Sequence, residues 1–222
     1  MKQKDLEEFL AEKHNRKYCL ILGNGTCAIA IALKSLGIKK SWIAIPNSIC
    51  LNVPISILLS GNFPYYLDNN ITNLGLCLDD LKLNINKVKA VIGVHNYGNI
   101  CEIDKLENLL NRYNIPLIED ACLAYGTNYL GQPIGSFGDI SILSFGSGKP
   151  VDIDHGGALL TNNKEIFDKS LHLRNSLPSG NEEMIEIVNR ISRVHTKIYN
   201  KYHHYKDGIR LPIFKRIIDN KL

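Results

Sequence analysis

The chain has 222 residues, 45% of them hydrophobic and 22% charged, with a formal net charge of +4. This length can bury one sizeable core, or one domain with an appendage, and the composition is that of an ordinary globular protein. It excludes a disordered or fibrous chain, and no apolar run reaches the length of a membrane span.

The positive excess collects late, in RISRVHTKIYNKYHHYKDGIRLPIFKR (190–216). We read this as a solvated helix face and expect no nucleic-acid partner, because no glycine-rich or aromatic-interleaved RNA signature accompanies it. The six cysteines, Cys19, Cys27, Cys50, Cys77, Cys101 and Cys122, form no CxxC pair and no Cys/His cluster, so no metal site is expected. The opening MKQKDLEEFLAEKHNRK lacks the apolar core of a secretory signal. Together these features lead us to expect a reducing, cytoplasmic setting.

In chain order, Leu6, Phe9 and Leu10 fall at helical spacing and predict a short amphipathic helix. YCLIL reads as a strand, GNGT as a turn, and CAIAIALKSLGI as a helix stopping at Gly37. WIAIP predicts a strand, LNVPISILLSG a helix despite Pro54, and FPYYLD another strand. A looser region (69–81) leads through a weak helix to the buried-type strand KAVIGVHNYG. IDKLENLLNRYN is helical, and IPLIED is a strand ending on acidic residues. GQPIGSFGDISILSF then suggests a turn and a strand, and GGALLTN a last one, before the helical KEIFDKSLHLRN. Apolar strands alternating with helices predict an α/β fold, a three-layer, mostly parallel sheet with helices on both faces. From about Pro178 the sequence turns helical, basic and tyrosine-rich. We therefore expect a domain over 1–177 and a helical extension over 178–222.

Ligands of open α/β sheets bind at the carboxyl ends of the strands. Three features fall there. Gly23–Thr26 opens a helix and suits a phosphate through free N–H groups and the helix dipole, although a plain strand-to-helix turn reads the same way. Asp120 ends a strand, where a carboxylate can cap the following segment or hold a cationic ligand atom. Ser144 and Lys149 lie just past a further strand. A lone loop lysine is ordinarily a solvated charge, but a hydroxyl and an amine here could complete a phosphate cradle and supply a nucleophile. A phosphate cradle, a strand-end aspartate and a loop lysine are together the parts that pyridoxal phosphate requires.

The order of these pieces resembles the DegT/DnrJ/StrS sugar aminotransferases, a family of fold-type I pyridoxal phosphate enzymes. Asn24-Gly25-Thr26 stands where that family has Ser-Gly-Thr, and Pro46 matches its strand-end proline. His95-Asn96-Tyr97-Gly98 and Glu119-Asp120-Ala121 match two further elements. Ser144-Phe145, Lys149 and Gly156-Gly157 match Ser-Phe-x-x-x-Lys followed by a double glycine at the same spacing. The resemblance covers roughly residues 6–173.

It implies Lys149 as the catalytic Schiff-base lysine and Asp120 as the partner of the pyridine nitrogen. Gly25, Thr26, Cys27 and Ser144 would hold the phosphate. His95 and Tyr97 would shape the strand end. It implies a homodimer, an amino donor such as glutamate and a keto-sugar nucleotide as acceptor. The chain also departs from the pattern. Cys50 stands where an aromatic ring usually covers the cofactor. Leu123 replaces a Gln or His, His155 precedes the double glycine where Glu is common, and Pro150 follows the lysine. A C-terminal small domain and a later Gly-x-Asn-x-Arg region are not found in these residues. An alternative reading follows: a truncated, impaired homologue serving as a binding, regulatory or partner subunit.

Overall fold

The computed structural model describes residues 2–177. The helical, basic extension expected over 178–222 lies outside the described residues. Helix α1 (Gln3–Lys13) precedes β1 (Tyr18–Leu22), and α2 (Gly25–Ser35) follows. Asn24 caps α2 by accepting the Cys27 N–H on its side chain, and the helix stops before Gly37, whose φ of +74° favours glycine. Strand β2 (Trp42–Pro46) leads to α3 (Asn52–Leu59), where Pro54 falls in the first turn and forfeits no intrahelical bond. Next come β3 (Phe63–Leu67), α4 (Leu78–Asn84), β4 (Val88–Val94), α5 (Ile103–Asn111) and β5 (Leu117–Asp120). A small hairpin, β6 (Asn128–Tyr129) and β7 (Gln132–Pro133), precedes β8 (Ile140–Ser144), β9 (Gly157–Thr161) and α6 (Lys164–Asn175).

Seven strands form one sheet in the order β1-β9-β8-β5-β4-β2-β3. Only β9 runs antiparallel to its neighbours, β1 and β8; the pairs from β8 to β3 are parallel. Alternate strand residues go to opposite faces, as the pleat requires. Ile118 and Ile142 pack with Ile31, Ile57 and Ile166 of α2, α3 and α6. Leu117 packs with Leu81 and Leu106 of α4 and α5, and Leu143 with Leu10 of α1. The sheet is therefore covered on both faces. The hairpin β6–β7 is an addition to the sequence reading, made by Leu130 and Gly131, both at positive φ.

Beneath the strand ends lies a buried polar knot. Glu119, with no exposed surface, accepts hydrogen bonds from the Gly135 N–H (2.8 Å), the Phe137 N–H (3.0 Å) and the Ser141 hydroxyl (2.7 Å). Arg16 stands 4.0 Å from it and donates to the Gly135 and Gly138 carbonyls (each 3.0 Å), to Ser141 Oγ (2.6 Å) and to the Phe137 carbonyl. His95 closes the knot: Nε2 faces Glu119 Oε1 at 3.2 Å while Nδ1 accepts the Cys101 N–H at 3.3 Å, so Nε2 carries the hydrogen. A buried charge is tolerable only when paired and hydrogen-bonded to this extent.

Candidate active site

Because six strands share one direction, the ends of β1, β8, β5, β4 and β2 reach the same edge of the sheet, where β9 begins. Gly157 pairs with both Leu22 and Ser144. Gly156 donates its N–H to the Gly23 carbonyl at 2.8 Å. The turn before α2, the end of β8 and the double glycine are thus one assembly.

The glycines make it possible. A Cβ on Gly25 would stand 3.1 Å from Ser144 Cβ and 3.4 Å from both Ser144 Oγ and Cys122 Sγ. Gly25 is buried, Thr26 and Ser144 are half-buried, and the first N–H groups of α2 have no partner within the helix. The Cys27 N–H differs from expectation. It is already donated to Asn24 Oδ1 at 2.7 Å, so an anion would meet the N–H groups of Gly25 and Thr26 first.

Asp120 is 7% exposed, and its Oδ1 accepts the Cys122 N–H at 3.0 Å. Its other oxygen has no partner among the described residues. Burial and then the charge of Asp120 push the Cys122 thiol well above its ordinary range; Lys149 acts in the opposite direction, and Cys50 in the same one as Asp120. One sulfur therefore feels the helix mouth, the aspartate, the lysine and Cys50 together. Cys122 is the residue sequence reasoning passed over. Its place directly after the Glu-Asp-Ala element was the available signal.

Lys149 is half-buried, and among the described residues its amine has no hydrogen-bond or ion-pair partner. Its loop is fastened at the base: Phe145 donates its N–H to the Gly156 carbonyl (2.9 Å) and accepts the Ile153 N–H (3.0 Å). The Phe145 ring is buried, edge-on to Tyr125. His155 and Pro150 are exposed, and Leu123 is half-buried. Cys50 is exposed between β2 and α3 and brings no ring to the site.

Residues 1–187 match the profile of the DegT/DnrJ/EryC1/StrS aminotransferase family. The chain belongs to this family. Among curated family relatives, it is 32% identical over 170 residues to the GDP-perosamine synthase of Escherichia coli O157:H7, covering 76% of this chain and 47% of that one. It is 36% identical over 176 residues to a UDP-4-amino-4,6-dideoxy-N-acetyl-beta-L-altrosamine transaminase of Campylobacter jejuni subsp. jejuni serotype O:23/36, covering 77% and 46%. Among solved structures it matches NtdA of Bacillus subtilis with bound cofactor PMP, at 27% identity and TM-score 0.72, over 79% of this chain and 41% of that one. An aminotransferase of Psychrobacter cryohalolentis shares the fold at 22% identity and TM-score 0.73, over 90% of this chain and 56% of that one. The family member described here spans about half the length of the curated relatives it matches.

Proposed function

We propose that this chain is the cofactor-binding part of a pyridoxal phosphate-dependent aminotransferase that moves an amino group from an amino acid such as glutamate to a keto-sugar nucleotide. The observation that carries this reading is the convergence of Asp120, Ser144 and the Gly25–Thr26 turn around Cys122, with Lys149 on the loop that leaves Ser144 and closes through Phe145 and Gly156. The residues fit the cofactor: the gap at Gly25, which a Cβ would fill, lies between a helix N-terminus and a serine hydroxyl, the donors a phosphate needs. The relatives named for sugar-nucleotide transaminations support the substrate class.

Bound there, pyridoxal phosphate would supply an aldehyde for an amine and a ring that stores the electron pair of a carbanion. Gly25 and Thr26 would hold the phosphate through N–H groups, and Ser144 through its hydroxyl. Asp120, with one oxygen fixed by Cys122, would hold a proton on the pyridine nitrogen through the other. Lys149 Nζ would anchor the cofactor, then take the proton from the donor's Cα and deliver it across the intervening nitrogen to the former aldehyde carbon. Cys50 cannot stack on the ring, so we assign the binding chiefly to the phosphate and to Lys149.

We assign residues 1–177 to this domain and 178–222 to a separate segment. We further propose that the chain works as a homodimer in the cytoplasm. Three loops at the site edge are knitted by Asn96, whose Nδ2 donates to the carbonyls of Ser48 (2.9 Å) and Leu74 (2.8 Å). They carry the exposed apolar side chains Leu51, Ile71 and Tyr97, a rim suited to a second copy. Six free thiols suit a reducing compartment, and among the described residues no helix is long and apolar enough to cross a membrane.

The test is an absorbance spectrum with added pyridoxal phosphate, beside a Lys149→Ala variant, followed by borohydride reduction and peptide mapping. A visible band present only in the unaltered protein, with label on Lys149 alone, supports the reading. Absence of the band removes it, leaving a cofactor-free partner subunit.

A further inference from the structure

The lysine loop contains a second carboxylate that the reaction leaves without a role. Asp152 Oδ2 accepts the Gly148 N–H at 2.8 Å, and Oδ1 accepts the Asp154 N–H at 3.0 Å. Gly148 (φ +77°) and Asp154 (φ +68°) are two of the loop's left-handed residues, and for Asp154, which carries a Cβ, that conformation is strained. One carboxylate thus braces a turn on each side of Lys149, inside a loop whose base Phe145 and Gly156 already close. The Lys149 N–H is itself donated to the Gly146 carbonyl at 3.2 Å, and Pro150 fixes the next φ. The backbone around Lys149 is therefore held at both ends and across its middle.

We propose that Asp152 is a positioning residue: its carboxylate latches the loop so that the Lys149 amine is presented toward Asp120 and the mouth of α2 in a productive orientation. This inference rests on the aminotransferase reading of the site and goes beyond it, because it assigns the orientation of Lys149 to a side chain that touches neither cofactor nor substrate. Removing the latch frees two left-handed residues to relax, and the amine then samples many directions. The phosphate cradle is built by other elements and stays in place. Misplacement of a reacting group by about 1 Å can cost on the order of a hundredfold in rate.

The experiment compares the unaltered protein with Asp152→Ala and Asp152→Asn in three readouts. Hydrogen exchange follows the Gly148 and Asp154 amides. Titration with pyridoxamine phosphate, which has no aldehyde, measures binding that does not use Lys149. Stopped-flow mixing with pyridoxal phosphate, quenched by borohydride, measures the rate of covalent capture at Lys149. In Asp152→Ala we expect exchange at both amides to rise about tenfold or more. We expect pyridoxamine phosphate affinity to stay within about twofold and capture to slow roughly 10- to 100-fold. Asp152→Asn, which keeps one acceptor oxygen, should fall between. Unchanged exchange overturns the latch. Faster exchange with an unchanged capture rate overturns the positioning role, and equal loss of affinity and capture shows general damage instead. An unaltered protein that captures nothing overturns the reading of the site, and the positioning role with it; the exchange data then still report whether the latch exists.

Discussion

Gly157 lies against the main chain of Asn24: a Cβ on Gly157 would stand 2.6 Å from the Asn24 carbonyl carbon and 2.8 Å from the Gly25 nitrogen. No backbone atom can move that far without shifting the start of α2. Gly157→Ala should therefore destabilise the fold by about 1–3 kcal/mol, and weaken pyridoxamine phosphate more than a generic loss of stability would. Denaturant melts beside a ligand titration separate the two effects. An alanine variant with unchanged affinity would mean that the helix mouth does not hold the phosphate.

The thiols should react in an order set by burial. Cys50 is exposed, whereas Cys19, Cys101 and Cys122 are buried. Burial, helped by Glu7, pushes the Cys19 thiol up to about 12, and Cys122 is also raised well above its ordinary range. Thiolate is the reactive form, so near pH 8 a thiol reagent should modify Cys50 at least tenfold faster than Cys19 or Cys122. Mass spectrometry of timed samples reads this. Added pyridoxamine phosphate should slow Cys50 selectively; no protection would place Cys50 away from the cofactor.

Glu119 is the hub of the buried knot. Glu119→Ala leaves Arg16 charged and stranded, together with two backbone N–H groups, and should cost about 3–5 kcal/mol. Glu119→Gln keeps the shape and one carbonyl oxygen, and should cost about 1–3 kcal/mol. Urea unfolding monitored by circular dichroism measures both. A loss under about 1 kcal/mol in the alanine variant would show that the knot is incidental.

His14 should give stability a pH dependence. It is 1% exposed; Nδ1 pairs with the Ile134 carbonyl at 2.7 Å, and Nε2 has no partner among the described residues. Burial, only partly opposed by the Ile134 hydrogen bond, lowers its pKa in the folded chain below the ordinary 6.5. The unfolded chain then binds the proton more readily. This contribution is complete above pH 6.5 and declines as pH falls through 6.5 toward the folded value. Unfolding free energies at pH 7.5 and 5.5 should differ less in His14→Gln than in the unaltered protein. Equal differences would show that another group carries the effect.

Where one periodicity decides an element, the sequence is enough. Leu6 and Leu10 mark α1, and the alternation of strands with helices leaves few architectures other than a doubly covered sheet. The direction of β9 was not legible, because a fully buried strand reads as GGALLT whether it runs with or against its neighbours. The hairpin at Leu130-Gly131 was hidden for another reason: each of its strands is only two residues long, too short to show alternation. Lys149, Asp120 and Ser144 could be singled out as candidates because side-chain chemistry is written in residue type. Arg16 could not, since a charged residue beyond a helix end ordinarily faces water, and only its partners more than a hundred positions later bury it. Asp152 was passed over because its importance lies in which N–H groups it accepts.

Among the described residues, the first strand, β1, lies at the sheet margin and pairs only with β9. During synthesis it leaves the ribosome well before that partner exists, so its ladder stays open until residues 157–161 emerge. The mouth of α2 is likewise unfinished until Gly156 and Gly157 arrive to brace it. Nascent chains gain structure as segments appear, and here β1 waits for β9. The proposed phosphate site is thereby completed only together with the sheet, and a stalled or shortened product would carry its upstream residues without the double glycine that braces them.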